Sequence, residues 1–135
     1  MGRILAIDYG TKRIGVAISD ETKKIALPQS HIPTSEKNKL LAFIKKREVE
    51  EIVVGLPRGL AGQKTKSTEA AEFIGEWLRR ETKLQVNFFD EWFSTKEAAR
   101  KIGDKKLKGR KARAEIDSLS AQILLDAYLR RIKND

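Results

Sequence analysis

Residues 4–19 read ILAIDYGTKRIGVAIS, two short runs rich in β-branched residues on either side of a turn containing Gly10. Ile4–Asp8 and Arg13–Ser19 are too short for helices and are separated by a glycine turn, so they read as the two strands of a hairpin. The first looks like a buried strand, yet it ends in a carboxylate, Asp8, with Gly10, Lys12 and Arg13 directly behind it. Strands are depleted in aspartate, because a buried unpaired carboxylate is neutralised or expelled. Asp8 therefore has either a local task, accepting the amides of Gly10 or Thr11 in an Asx turn, or a functional one.

Punctuation along the chain sets the other elements. Ile25–Ile32 is a third strand, and Pro28 suits it to a sheet edge. Ser35–Arg47 places Leu40, Leu41 and Ile44 on one helical stripe. Glu51–Val54 is a fourth strand, ended by Gly55 and Pro57. Ala70, Phe73, Ile74, Trp77 and Leu78 recur at the spacing of one helix face, which is expected to pack on a core. Leu84–Phe89 is a fifth strand. The following STKE is a capping box, Ser94 with Glu97, that starts a helix at Thr95 running to about Gly103. Asp104–Arg113, DKKLKGRKAR, has six basic residues and almost nothing apolar, so an exposed loop is expected. Ala114–Ile132 is the final helix. A three-strand antiparallel meander followed by strand–helix crossovers gives an α/β domain, a five-stranded mixed sheet flanked by helices. With 135 residues and no linker or repeat, residues 1–135 read as a single domain.

Charge and missing residue types narrow the chemistry. Lys and Arg outnumber Asp and Glu by 28 to 19, and a net charge of +9 favours polyanionic partners, nucleic acid first and an acidic membrane surface second. No apolar run is long enough to span a bilayer or form a signal sequence, so the expectation is a soluble cytoplasmic protein with no membrane partner. Cysteine is absent, which removes disulfides, thiolate zinc sites and thiol nucleophiles, and leaves oxygen ligands or the single histidine, His31, for any metal.

Against that basic background three acidic positions stand out. Asp8 ends the first strand. Asp90 and Glu91 follow the fifth, at the carboxyl end where active sites of open α/β sheets gather. Their side chains alternate, so at most one of them joins Asp8. Asp117 is expected in the first turn of the last helix, where it either complements the helix dipole or heads the core-facing stripe Asp117, Ala121, Leu124 and Tyr128. Three acids from distant segments meet only around a cation, and the available ligands suit hard Mg²⁺ or Mn²⁺. A pair of such ions roughly 4 Å apart can activate water on one side of a phosphodiester and stabilise the leaving oxygen on the other.

The segments AIDYGTKRIGVAIS, VGLPRGLAGQ, DEWFST and IDSLSAQILLDAYL resemble, in order and over nearly the whole chain, the signature blocks of the YqgF/RuvX family. The resemblance implies an RNase H-like fold, kinship with Holliday junction resolvases and an assignment as a nuclease maturing the 5′ end of 16S ribosomal RNA. It also implies that Asp8, Glu91 and Asp117 are the metal-binding catalytic acids. One position departs: the family's Asp-Glu-Arg block has Trp92 in place of the Arg. Either Lys96, Arg100 or Arg113 replaces it, or Trp92 stacks on an unpaired base, or Trp92 is a plug beside Phe93.

The basic residues supply the rest of the expected interface. Lys12 and Arg13 flank the first acid. Arg58, Lys64 and the amides of the loop before the second helix offer a phosphate cradle at a helix start. Lys105, Lys106, Lys108, Arg110, Lys111 and Arg113 form the basic loop ahead of Asp117. The expected activity is a metal-dependent endonuclease on structured RNA such as precursor 16S ribosomal RNA, with ribosomal particles as a further setting. A resolvase of branched DNA is the alternative, a homodimer in that case rather than a monomer. A non-catalytic nucleic-acid-binding adapter is a third reading, though a binder of polyanions gains nothing from three carboxylates. DYGT followed by GVAIS also resembles the first phosphate loop of actin-like ATPases, which need two such domains where this length supplies one.

Overall fold

The computed structural model describes residues 2–90 and 110–134, with side chains in the last helix given for 119–133. Strands β1 (Arg3–Tyr9), β2 (Arg13–Ser19) and β3 (Ala26–Pro33) form the meander. A 3₁₀ turn at Thr34–Glu36 enters α1 (Asn38–Lys46), followed by β4 (Val49–Gly55), α2 (Lys66–Thr82), β5 (Gln85–Phe89) and α3 (Arg110–Asn134). The sheet order is β3-β2-β1-β4-β5, with β1 antiparallel to β2 and parallel to β4, and β4 parallel to β5. This is the expected five-stranded mixed sheet, and the proline-bearing β3 is indeed an edge strand.

Strand β1 is central, and its side chains alternate between two cores. Leu5 and Ile7 face Leu40 and Ile44 of α1 and Ala71, Ile74 and Leu78 of α2. Ile4 and Ala6 face Ala121, Leu124, Leu125, Tyr128 and Leu129 of α3. A strand covered on both faces needs apolar residues at every position, which explains why Ile4–Ile7 shows no polar alternation.

Three local expectations are corrected. In α2 the buried face is Thr68, Ala71, Ile74, Gly75 and Leu78, so the stripe is rotated from the expected one and Phe73 is 57% exposed. Gly75 causes the rotation: the Phe88 ring lies where its Cβ would be, 2.4 Å away, so the helix presents its bare side to β5. Phe73 and Trp77 instead flank Lys37, whose ammonium lies 5.2 and 4.7 Å from the two ring centres. Second, α3 begins at Arg110, so Arg110, Lys111 and Arg113 are helical rather than part of a loop. The run RKARAE is made of strong helix formers. Third, Asp117 consequently sits two turns inside α3, and its role as a dipole-compensating acid of the first turn falls away. The expected helix at 95–103 and its Ser94–Glu97 box lie outside the described residues.

A polar contact fixes α3 on the sheet. The Tyr128 hydroxyl donates to the Glu51 carboxylate, and Asn87 Nδ2 donates to both Glu51 Oε2 (2.9 Å) and Tyr128 Oη (2.8 Å). Burial, reinforced by the Glu51 carboxylate, pushes the Tyr128 phenol up to about 12. At the same end of the sheet Asp20 closes the β2–β3 turn, accepting from Thr22 and from the amides of Lys24 and Ile25, both 2.8 Å. Those bonds, that from the Thr22 hydroxyl foremost, hold its carboxyl well below the usual range.

Two outcomes follow for stability. Gly75→Ala should cost about 1–3 kcal/mol in urea unfolding, because β5 must yield to a Cβ that overlaps the Phe88 ring. The raised Tyr128 pKa means that the folded state holds this proton more tightly than the unfolded chain does. The associated stability is present below about pH 10 and is lost as pH rises toward about 12. The difference in unfolding free energy between wild type and Tyr128→Phe should therefore shrink over that interval and be flat below it.

Candidate active site

Asp8 is one residue before the end of β1 and only 6% exposed. Strand alternation puts it on the α3 face with Ile4 and Ala6. Its cross-strand partner on β2 is Gly15, and Gly55 on β4 follows Val54, the partner of Ile7, so it flanks Asp8 on the other side. Both glycines fall on the α3 face by the same alternation, and Gly55 pairs in turn with Phe89 of β5. The row Gly15, Asp8, Gly55, Phe89 thus presents one carboxylate between two positions without side chains. Sequence reading missed this because it depends on register, although both glycines interrupt otherwise β-branched strands.

The turn behind Asp8 is closed without it. The Gly10 amide donates to the Arg13 carbonyl (3.0 Å), and a Cβ on Gly10 would lie 2.6 Å from that oxygen. The Thr34 hydroxyl donates to the Gly10 carbonyl (2.8 Å) and the Thr34 amide to the Lys12 carbonyl (3.0 Å), which ties the turn to the entry of α1. An Asx turn on the Gly10 amide is therefore not what Asp8 provides.

Of the acids after β5, Asp90 faces Arg58, whose guanidinium lies 3.5 Å from its carboxylate. Glu91 lies outside the described residues, as do Trp92, Lys105, Lys106 and Lys108. Asp117 is on α3 one turn before Ala121, the first residue of the stripe Ala121, Leu124 and Tyr128 that packs on the α3 face of the sheet. One turn along the same helix Ser120 is fully buried, and its hydroxyl has no hydrogen-bond partner among the described residues. Its spacing from Asp117 was visible in the sequence, but its burial was not.

Lys12 is exposed in the β1–β2 turn and Arg13 opens β2 opposite Pro33. Arg110, Lys111 and Arg113 lie in the first turns of α3. Lys64 pairs with Glu72 of α2 at 3.1 Å. Part of the expected amide cradle between β4 and α2 is already engaged. The amides of Gly59, Ala61 and Gly62 donate within the loop, to Gln63 and Gly59, and the Thr65 amide donates to Thr68 Oγ1. Those groups are not available to a phosphate. His31 lies on edge strand β3.

A mixed sheet in this order, with a carboxylate near the carboxyl end of its central strand and a helix laid over that face, defines an RNase H-like domain. Among solved structures the chain is similar in fold to T. thermophilus RuvC in complex with Holliday junction substrate, with a TM-score of 0.56 over 98% of this chain and 96% of that one, at 16% identity. The family model RuvX, described as Holliday junction resolvase, matches residues 2–131, and the chain belongs to that family of nucleases. It is 40% identical over 136 residues to a protein of Koribacter versatilis named "Putative pre-16S rRNA nuclease", covering 96% of this chain and 88% of the relative. It is 38% identical over 133 residues to a protein of the same name from Christiangramia forsetii, covering 96% and 98%. No helix among the described residues is long and apolar enough to cross a membrane.

Gly10→Ala should lower stability by about 1–3 kcal/mol in chemical denaturation, since the new Cβ meets the carbonyl that closes the turn behind Asp8. Unchanged unfolding would show that the turn can open without cost.

Proposed function

We propose that this protein is a metal-dependent endonuclease that hydrolyses phosphodiesters in structured nucleic acid. Within that activity we assign it to 5′-end maturation of precursor 16S ribosomal RNA, the substrate named for its relatives at 33–40% identity. The observation that carries the reading is Asp8, a buried carboxylate on the central strand, flanked by two glycines on the face that α3 covers. A purely structural acid would not need a cleared row around it.

Asp8, Glu91 and Asp117 would hold the cation. The donor set fits Mg²⁺ or Mn²⁺: Asp8 offers hard oxygen ligands, cysteine is absent and His31 stands on the edge strand rather than on β1. Such ions supply an activated water on one side of the scissile phosphate and charge stabilisation for the oxygen leaving on the other. The chain's own part is to orient. Asp8 is fixed by the two strands beside β1. Lys12 and Arg13 lie beside the phosphate path at the same strand end. Arg110, Lys111 and Arg113 extend the positive surface along α3, with Lys105, Lys106 and Lys108 preceding them and Arg58 and Lys64 on the β4–α2 side. Trp92 is available to stack on an unpaired base.

Cleavage of a four-way DNA junction is the second reading, favoured by the description of the family model that matches residues 2–131. The test is cleavage of end-labelled precursor 16S RNA and of a four-way DNA junction, each with Mg²⁺, Mn²⁺ or EDTA. Cutting of the RNA should require metal and fall at least about hundredfold in Asp8→Asn, which keeps the shape but removes the charge. Undiminished cutting by Asp8→Asn would sink the assignment of Asp8, and cutting of the junction alone would select the second reading.

A further inference from the structure

Leu60 is 94% exposed at the tip of the loop between β4 and α2. A lone exposed leucine is ordinary on a protein surface. This one is held out by the loop around it. The Gly59 amide donates to the Gln63 carbonyl (2.8 Å), the Gly62 amide to the Gly59 carbonyl (2.9 Å), and the Ala61 amide to Gln63 Oε1 (2.9 Å). A Cβ on Gly59 would displace the Gln63 amide group, 2.2 Å away, that receives the Ala61 amide, and Gly62 adopts φ +80°, the left-handed region that favours glycine. The base of the loop is pinned as well, by the Leu56 amide on the Phe89 carbonyl (3.1 Å) and the Thr68 hydroxyl on the Pro57 carbonyl. These bonds fix the backbone on both sides of Leu60.

Its position gives the tip a context. Strands β4 and β1 are parallel neighbours, so the loop leaves the sheet at the end where Asp8 and the Lys12–Arg13 turn lie. Arg58, Lys64 and Lys66 stand within six residues of Leu60, the first two beside Asp90 and Glu72, on a chain of net charge +9. An apolar tip among cations does not suit an apolar protein groove. It suits a polyanion with an apolar interior, which describes stacked bases inside a phosphate backbone.

We propose that Leu60 is a wedge that enters a base step of the bound nucleic acid at the edge of a paired segment, unstacking it and fixing where the strand crosses Asp8. Apolar side chains act in this way in proteins that kink nucleic acids, and a fixed loop meets the ordering cost before binding. The inference rests on the reading of this strand end as the nucleic-acid site.

The test uses an RNA hairpin with a single-stranded flank carrying 2-aminopurine at the junction step, whose emission rises on unstacking. Wild type and Leu60→Phe should bind it and raise the emission. Leu60→Ser should melt at the wild-type temperature, bind about tenfold more weakly and give no rise. If Leu60→Ser matches wild type in affinity and emission, the wedge is overturned and the nucleic-acid site stands. If wild type does not bind the hairpin, both fall. If sedimentation without RNA shows a dimer that Leu60→Ser abolishes, the tip belongs to a second copy of the chain and the wedge is overturned.

Discussion

The constraint on which the molecule depends is that β1 is covered on both faces and still carries a carboxylate. Double cover requires apolar residues throughout, and Ile4–Ile7 comply. Where the apolar run stops, Asp8 remains on the α3 face, and the neighbouring strands place Gly15 and Gly55 beside it. One row further along, Ala6 lies between Ala17 and Val53, and all three pack against α3. Bareness around the acid comes from the glycines that β2 and β4 place on this face. Enlarging Gly15 or Gly55 would act on packing and on the site together.

Holding α3 there takes more than apolar contact, since a helix held by apolar contact alone can slide. Tyr128 supplies a directional restraint, bonded to Glu51 on β4 and Asn87 on β5 while its ring meets Phe89 edge-on at 5.7 Å between centres. At the other flank Gln122 reaches the Ala26 carbonyl of β3 at 3.2 Å. The two anchors lie on opposite sides of β1, so together they set the position of α3 across the sheet. Asp117, earlier on the same helix, takes its place from them. A partly buried carboxylate, amide and phenol that satisfy one another are worth more as a set than singly, because losing one leaves the others unpaired.

Much of this was legible in the sequence. The hairpin, the edge strand and both parallel strands follow from apolar runs, glycine turns and Pro28, because strand formation here is dictated locally. The stripe Ala121, Leu124 and Tyr128 was visible because helical spacing is a one-dimensional signal, and those residues are buried as expected. What was not legible depends on neighbours distant in sequence. The rotation of α2 is set by Phe88, which occupies the space beside Gly75. The Glu51–Asn87–Tyr128 contact spans 77 residues. The clearing around Asp8 requires the register of three strands. Charge density misled at Arg110–Arg113, where solvent exposure was taken to mean a loop although lysine and arginine are good helix formers.

The same contrast separates the two ends of the sheet. At the β2–β3 turn the charges are consumed: Asp20 caps the turn, and Glu50 is paired with Lys23, whose ammonium holds that carboxyl below its usual range. At the other end Arg58 and Lys64 are also paired, with Asp90 and Glu72, and the loop backbones meet their own needs. Gly10, Gly59 and Gly62 direct their amides to carbonyls of their own loops and Ala61 directs its amide to Gln63 Oε1, which ties those loops without using the side chains of Lys12 or Leu60. Lys12 and Leu60 face solvent at the end of the sheet where the buried Asp8 lies. A loop that meets its own hydrogen-bonding needs can hold a cation or an apolar tip at a fixed place, and one that leaned on those side chains for its shape could not also offer them to a substrate. Rigidity of the backbone and availability of the side chains are therefore one property of this end, and it is the end where Asp8 lies.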